Sequence, residues 1–588
     1  MERGPDRAAA DGNVLTRSGA YDGHIDRRGR FTSADASPAR RRRLLDAVLT
    51  WTLKMPPGTH EYTLTGNVRV PMRDGVELLA DVYTPIAESR GTILIRTPYG
   101  RATPIALMSA GFYANHGYRV VNQSSRGTFG SGGNWLPFVT EVDDGADTVA
   151  WLRTQPWFDG RFALCGASYL GFTSWAIMTD PPPELVCAVI AFSAHDNYRV
   201  TYGEGAFALE GSLSLLDSLP HVEDGTLKQL ARFPTANRRL RRGYEELPLI
   251  RAQETVLGGT GMPYAEWLRA SDPNDPVWVP TRLDRALDQV EVPVLLHEGW
   301  QDRFVDQMLD QYTTLRRRGV DVALTIGPWT HLEVASKAGK VTMPETLDWL
   351  AEHLGGAARR RTSPVRIFLT GADRWCDLPD WPPTTAQKVI FLLPGGGLGD
   401  RPPDPHAAPS TFRYDPADPT PAVGGRVINP AIGGRRDNRR LESRADVLTF
   451  TGEPLDEPLE IIGDPVVELA HRTDNPYADL FVRLCEVSAN GRSVNLSDGF
   501  RRLHPDDSDP PGSMIMIRLE SIAHRLAAGS RIRLQVSGGA HPRWARNLGT
   551  DEDPATGTRL ASSHRTICHG DGGRSRVVLP CGDLTVAT

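Results

Sequence analysis

Gly166-Ala167-Ser168-Tyr169-Leu170-Gly171 is the segment of this chain with the clearest chemical content. A serine among small residues, directly after a β-rich run (Phe162 to Cys165) and directly before a helix-like stretch, reads as an elbow that presents its hydroxyl as a nucleophile. Small neighbours are needed because such an elbow strains the serine backbone and leaves little space around it. The pattern departs from strict G-x-S-x-G, since Leu170 stands where the second glycine is usual and Gly171 follows one place later. A serine hydroxyl is a poor nucleophile at neutral pH and requires a base, with a carboxylate to orient that base. Two later segments supply them. Val292 to Leu296 leads into His297-Glu298-Gly299-Trp300-Gln301-Asp302, and Val322 to Ile326 leads into Gly327-Pro328-Trp329-Thr330-His331. Ser168, Asp302 and His331 in that chain order would carry acyl transfer through a covalent acyl-enzyme, with His331 as base and Asp302 holding the imidazole tautomer.

Three side chains so far apart in the chain can meet only if one scaffold collects them. Each follows a predicted strand, and strands of one parallel sheet place their carboxyl ends on the same edge. The surrounding pattern supports such a sheet. Val68 to Tyr83 predicts a hairpin turning at Asp74-Gly75, Thr92 to Ile95 and Arg119 to Asn122 are short β-rich runs, and Asp143 to Arg153 has helical spacing. Strands and helices alternate over 61–195 and resume over 289–358, where Pro344 to Leu354 is helix-like, so these two stretches form one α/β catalytic domain. Residues 196–288 are long polar and helical stretches without a clear strand, such as Thr226 to Tyr244, and read as an inserted helical lid. Arg359 to Pro364 resembles a linker. From 365 to 588 the pattern is all-β: Val365 to Leu369, Val389 to Leu393, Pro465 to Leu469, Leu480 to Leu484, Met514 to Leu519, Arg531 to Val536 and Val577 to Leu579, separated by Gly, Pro and Asp turns. Residues 1–60, rich in Arg, Ala, Asp and Gly, read as a loosely ordered arm.

Composition narrows the function classes. Lys and Arg number 66 against 72 Asp and Glu, a net charge of −6 that leaves no electrostatic footprint for nucleic acid. No run approaches the ~18 apolar residues of a membrane span, and the N-terminus lacks the apolar core of a secretory signal. Arg40 to Leu45 resembles the start of an export signal but is interrupted by Asp46, and reads as a surface helix; a cytoplasmic protein is the expectation. The six cysteines form no C-x-x-C pair and read as reduced, mostly buried thiols. Glu141, Asp143, Asp144 and Asp147 do not have calcium-loop spacing, and acidic residues opening a helix are expected from its dipole, so no metal is assigned. The glycines of 127–132 lack both the dinucleotide fingerprint and the Lys-Ser/Thr of a P-loop.

The catalytic segments, with Val70 to Leu78, Asp81-Val82-Tyr83 and the Arg-Gly loop Ser125 to Gly133, resemble those of the cocaine esterase and X-Pro dipeptidyl-peptidase family of α/β-hydrolases. The resemblance runs from about residue 60 to the C-terminus. It implies an oxyanion hole formed by the hydroxyl of Tyr99, in Arg96-Thr97-Pro98-Tyr99, and by the backbone N–H of Tyr169. It implies a jelly-roll C-terminal domain, matched by Asp479 to Leu484, Asn490-Gly491-Arg492 and Asp498 to Arg502, with Cys485-Glu486 departing from an expected aspartate. It further implies an aromatic, Phe304, near the acyl site, with Trp300, Trp329 and Phe129 as further wall residues; hydrophobic packing is at least as good an account of each tryptophan. No cofactor is required. The substrate is expected to be a small-molecule ester or amide, and the chain a possible homo-oligomer. Three substrate types stay open: simple or aromatic acyl esters, α-amino-acid esters including β-lactam side chains, and X-Pro peptides, the last ranked lowest because the N-terminal arm is too short for an extra domain. An α-amino group would need inward carboxylates, for which the lid offers Glu204, Glu210, Asp217, Glu223 and Asp224. The rival from another class is a non-catalytic binding protein on the same fold.

Overall fold

Runs of consecutive apolar residues in the first half of the chain become strands buried on both faces, as a parallel sheet covered by helices requires. A computed structural model describes residues 54–588 apart from 102, 104–106, 225, 506–513, 571–572 and 585–588. Most of the expected arm (1–60), including Arg40 to Leu45, therefore lies outside the described residues. Among the described residues ten strands form the catalytic sheet: β1 (Tyr62–Pro71), β2 (Glu77–Pro85), β3 (Thr92–Thr97), β4 (Arg119–Ser124), β5 (Phe162–Ala167), β6 (Leu185–Ala191), β7 (Val294–Gly299), β8 (Val322–Gly327), β9 (Val365–Leu369) and β10 (Arg374–Leu378). Their spatial order is β1-β2-β4-β3-β5-β6-β7-β8-β9-β10. Pairing is parallel from β4 through β9 and antiparallel at both edges. Strands β3, β7 and β8 are buried along their whole length.

After β3 the chain adds β4 on one side and then crosses to place β5 on the other. Such a reversal opens a crevice at the carboxyl ends of the two central strands, where open α/β sheets hold their ligands. Helices cover the sheet. Tyr169–Ile177 is buried over its whole length, and Val305–Arg317 buries Val305, Met308, Leu309, Tyr312 and Leu315 at helical spacing. Helix Gly339–His353 begins ahead of the expected Pro344 and carries that proline inside its first turns.

The lid is inserted between β6 and β7. Over 196–288 the described residues hold helices such as Asn197–Tyr202, Leu209–Ser218, Thr226–Glu245 and Tyr264–Arg269, with a single isolated bridge, Asp196 to Arg282, at its base. Two sheet assignments differ from the expectations. Strand β6, an apolar run singled out by no motif, completes the sheet between β5 and β7. Val365–Leu369, expected to open the β domain, is instead the last parallel strand of the catalytic sheet, and β10 turns back along it. The β domain thus starts after β10.

That domain, from Ala386–Leu393 to Arg576–Gly582, is all-β and almost wholly antiparallel. Its longest antiparallel pair, β11 (Ala478–Val487) and β12 (Ser493–Leu503), explains the family motif. Leu480, Val482 and Leu484 alternate into the domain core, while the opposite face of β11 carries Asp479, Phe481 and Arg483. Arg483 binds Asp498 of β12 through two hydrogen bonds of 2.6 and 2.7 Å, and Arg502 binds Asp479 through two of 2.8 Å. Phe481 and Phe500 pack with Trp544 and with Ala206 of the lid, so this face joins the β domain to the catalytic unit. All six cysteines are free, five of them buried.

Candidate active site

Ser168 sits between β5 and the helix Tyr169–Ile177 at φ 58° and ψ −124°. This region is costly for any L-residue, about 1–3 kcal/mol, and persists only where the surroundings hold it. Ser168 N–H donates to Ala191 O at 2.9 Å, and its own carbonyl accepts from Gly171 N–H at 2.9 Å and Phe172 N–H at 3.1 Å. The two glycines make the approach possible. A Cβ on Gly166 would lie 2.1 Å from the Leu170 carbonyl oxygen, and one on Gly171 would lie 2.5 Å from Ser193 Cβ. The departure from G-x-S-x-G therefore has a physical basis: Gly171, not residue 170, is the one that packs on the neighbouring strand's exit.

Asp302 follows β7 in a tight turn closed by Asp302 N–H to Gly299 O at 2.9 Å, and is wholly buried. Its Oδ1 accepts from Phe304 N–H at 2.9 Å, and its Oδ2 lies 2.7 Å from His331 Nδ1. A carboxylate can only accept, so Nδ1 carries the proton and Nε2 is free to act as base. His331 follows β8 behind a capping box formed by Thr330 and Glu333. Its Nε2 lies 3.0 Å from Ser168 Oγ. The imidazole meets two rings edge-on, Phe304 at 5.3 Å and Phe192 at 6.4 Å. Phe192, at φ 50° beyond the unforeseen strand β6, was not legible as a site residue.

Tyr99 follows β3, the strand beside β5, and its ring meets that of Tyr169 edge-on at 6.3 Å. Burial pushes the Tyr99 phenol up to about 12. Tyr169 begins the nucleophile helix, where the first N–H has no intrahelical acceptor. Its side chain is buried, stacked on Phe138 at 4.3 Å, and burial followed by the Glu141 charge holds the phenol well above its ordinary range. Glu298, next to Gly299, is wholly buried; burial and then the charge of Asp302 push its carboxyl well above the usual range.

The other expected wall residues divide. Phe304 reaches the imidazole, and Phe129, at φ 45°, lies against Gly100 beside Tyr99, where a Cβ on Gly100 would come within 2.5 Å of its ring. Trp300 and Trp329 make packing contacts. Trp300 is buried, donates from Nε1 to Phe368 O at 2.9 Å and packs on Trp381. Trp329 is buried between Phe192 and Trp375.

Most lid carboxylates already have hydrogen-bond or ion-pair partners. Asp217 is held by two hydrogen bonds from Arg239, of 3.0 and 2.6 Å, and Asp224 lies 2.9 Å from His221 Nδ1. Glu223 accepts the Phe129 N–H at 2.5 Å, and buried Glu210 accepts from Asn429 N–H at 3.1 Å. Glu204 lines a cavity of about 330 Å³ between the lid, helix Val305–Arg317 and the β domain, whose lining includes none of Ser168, Asp302 and His331. Among the described residues one trio, Asp321, Glu352 and His353, groups three potential metal-ligand atoms, and Arg359 already bridges its two carboxylates.

Residues 74–333 match the family model of the X-Pro dipeptidyl-peptidase (S15 family), and residues 357–578 that of the X-Pro dipeptidyl-peptidase C-terminal non-catalytic domain. The chain is 29% identical over 534 residues to the cocaine esterase of a Rhodococcus species, covering 83% of this chain and 93% of that one. Among solved structures it resembles an aminopeptidase from a marine sediment archaeon (Thaumarchaeota), with a TM-score of 0.76, 24% identity and coverage of 90% of this chain and 98% of that one. An α-amino acid ester hydrolase gives a TM-score of 0.73 at 23% identity, over 90% of this chain and 98% of that one. No helix among the described residues is long and apolar enough to cross a membrane. With the catalytic and C-terminal models both matched in sequence along the chain, and the same two-part architecture in its structure, this protein belongs to the cocaine esterase and X-Pro dipeptidyl-peptidase family of serine-type α/β-hydrolases.

Proposed function

We propose that the protein hydrolyses carboxylic esters with an apolar acyl group through a Ser168–His331–Asp302 triad and a covalent acyl-enzyme. The reading rests on the hydrogen-bonded line from Ser168 Oγ to His331 Nε2 (3.0 Å) and from His331 Nδ1 to Asp302 Oδ2 (2.7 Å). His331 takes the Ser168 proton as Oγ attacks the ester carbonyl, and Asp302 stabilises the imidazolium that forms. The carbonyl oxygen, now an oxyanion, receives the Tyr99 O–H and the Tyr169 N–H. His331 gives its proton to the departing alcohol, then activates water, which releases the acid and regenerates Ser168 Oγ–H.

Esters of simple or aromatic acids fit the surroundings better than α-amino-acid esters or X-Pro peptides. An α-ammonium needs an unengaged carboxylate near the triad. Four of the five lid candidates are already paired or hydrogen-bonded, and Glu204 faces a separate cavity. Phe304, edge-on to His331, instead offers an apolar surface. The test compares wild type with Ser168→Ala on p-nitrophenyl acyl esters, an α-amino-acid ester and an X-Pro anilide, with mass spectrometry after phenylmethylsulfonyl fluoride. The expected result is turnover of the acyl esters by wild type alone, with the label on Ser168. A wild type that hydrolyses none of them and takes no label would overturn the reading in favour of a binding protein.

A further inference from the structure

Five segments that the sequence marks for separate reasons are joined by one line of alternating charge. Asp74, at the turn of the opening hairpin, pairs with Arg126 of the Arg-Gly loop at 2.7 Å, and Arg126 pairs with Asp144 at 2.6 Å. Asp144 lies 3.9 Å from Arg96, whose Nη1 stands 2.9 Å from Glu141 Oε2 and donates to the Glu141 carbonyl at 2.8 Å. The line ends beside the nucleophile. Glu141 Oε1 accepts the Tyr169 O–H at 3.0 Å, and the same phenol oxygen accepts the Phe138 N–H at 2.8 Å. Arg96, Glu141, Asp144 and Tyr169 are all buried.

Buried ion pairs are a poor device for stability alone, because desolvation offsets most of their attraction and well-packed apolar residues often do as well. What such a pair does well is hold a geometry. Both ends of this one lead to the oxyanion hole. Glu141 fixes the Tyr169 side chain, and so the orientation of the residue whose N–H faces the reacting carbonyl. Arg96 sits at the end of β3, three residues before Tyr99; its carbonyl accepts the Thr173 hydroxyl of the nucleophile helix at 3.0 Å, and Thr97 Oγ1 accepts the Tyr99 N–H at 3.0 Å. The two tyrosine rings then meet edge-on at 6.3 Å.

We propose that the buried Arg96–Glu141 pair is the positioning element of the oxyanion hole, setting the Tyr169 N–H through the Tyr169 phenol and Tyr99 through the end of β3. This rests on the oxyanion reading given above. Neither Arg96 nor Glu141 touches substrate; both act through the two donors. Donors displaced by a fraction of an ångström lose transition-state stabilisation while ground-state binding persists, so the defect belongs in kcat.

Glu141→Gln and Tyr169→Phe test this with little change in volume. Each should lower kcat on a p-nitrophenyl ester about tenfold or more, leave KM within about twofold, and raise the Ki of phenylboronic acid by the same factor as kcat falls, since its tetrahedral adduct with Ser168 uses the same donors. The double variant should lose no more than the worse single one, because both cut one connection. Rates are expressed per Ser168 labelled by a fluorophosphonate, which counts folded, competent sites. Unchanged kcat, or a fall in kcat with the boronate Ki unmoved, overturns the positioning role and leaves the triad standing. A wild type whose Ser168 takes no fluorophosphonate overturns the triad itself, and this proposal with it.

Discussion

Tyr99→Phe removes one hydroxyl and keeps the ring, so it isolates what that donor contributes. In the transition state that O–H faces a full oxyanion, and losing one such donor costs about 3–4 kcal/mol, which corresponds to a fall of about 10²- to 10³-fold in kcat/KM. The Tyr169 N–H remains, so hydrolysis should be slowed and not abolished. Because burial pushes Tyr99 up to about 12, the phenol is protonated and able to donate at every pH below that value. Its ionisation should therefore contribute no falling limb to kcat near pH 10, the ordinary range of a phenol. The assay is p-nitrophenyl ester hydrolysis from pH 6 to 10.5 with the spontaneous rate subtracted, normalised to Ser168 labelling. A loss under about threefold would show that Tyr99 is not an oxyanion donor, and an alkaline limb near pH 10 present in wild type but absent from Tyr99→Phe would refute the protonated state.

Three further outcomes test the assignments around the triad. Phe304→Ala should lower kcat/KM for a benzoyl ester about 10- to 100-fold more than for an acetyl ester, as loss of an apolar contact to the acyl group predicts; equal losses on both would place Phe304 with the imidazole and not with the acyl group. Trp300→Ala should cost about 3–5 kcal/mol of stability, read by urea unfolding of the catalytic unit, with KM for both esters unchanged at 25 °C; a selective KM effect would return Trp300 to the site wall. Gly166→Ala should give insoluble protein, or soluble protein that takes no fluorophosphonate, because the added Cβ meets the Leu170 carbonyl at 2.1 Å and no flexible side chain can yield. Soluble, fully labelled Gly166→Ala would refute the account of the elbow.

Much of this architecture was legible because chemistry and patterning coincide at strand ends. Ser168, Asp302 and His331 each close an apolar run, and the structure hydrogen-bonds all three. The residues that escaped notice did so for two physical reasons. Strand β6 is as apolar as β5, but Ser193, His195 and Asp196 after it match none of the three catalytic segments, so nothing separated it from the lid's approach, and Phe192 went unseen with it. Strand β9 alternates buried and half-buried positions, the same period-two pattern as the strands of the β domain. Which sheet it joins is decided by its partner β8, and pairing partners are not written in a strand's own pattern. Charge pairing is non-local in the same way: Glu141 and Asp144 look like a helix-dipole signature until Arg96 and Arg126 arrive from elsewhere in the chain.

The residues around Trp300 and Trp329 carry a packing signal of their own. Both lie within two residues of the end of a catalytic strand, which invites placing them in the pocket. Each of these two strands, β7 and β8, however, ends in a glycine. A Cβ on Gly299 would stand 2.3 Å from the Trp329 carbonyl, and one on Gly327 would stand 2.5 Å from the Trp329 ring. The missing side chains are the space into which the Trp329 segment folds back, and Gln301 N–H then bonds the Trp329 carbonyl at 3.0 Å, tying the acid turn to the histidine turn. A tryptophan following a strand-end glycine, beside a second strand-end glycine on the neighbouring strand, is thus better read as a plug that locks the two catalytic turns together than as a surface offered to substrate. In this site the Gln301–Trp329 bond joins the turn of Asp302 to the turn of His331, whose side chains stand 2.7 Å apart.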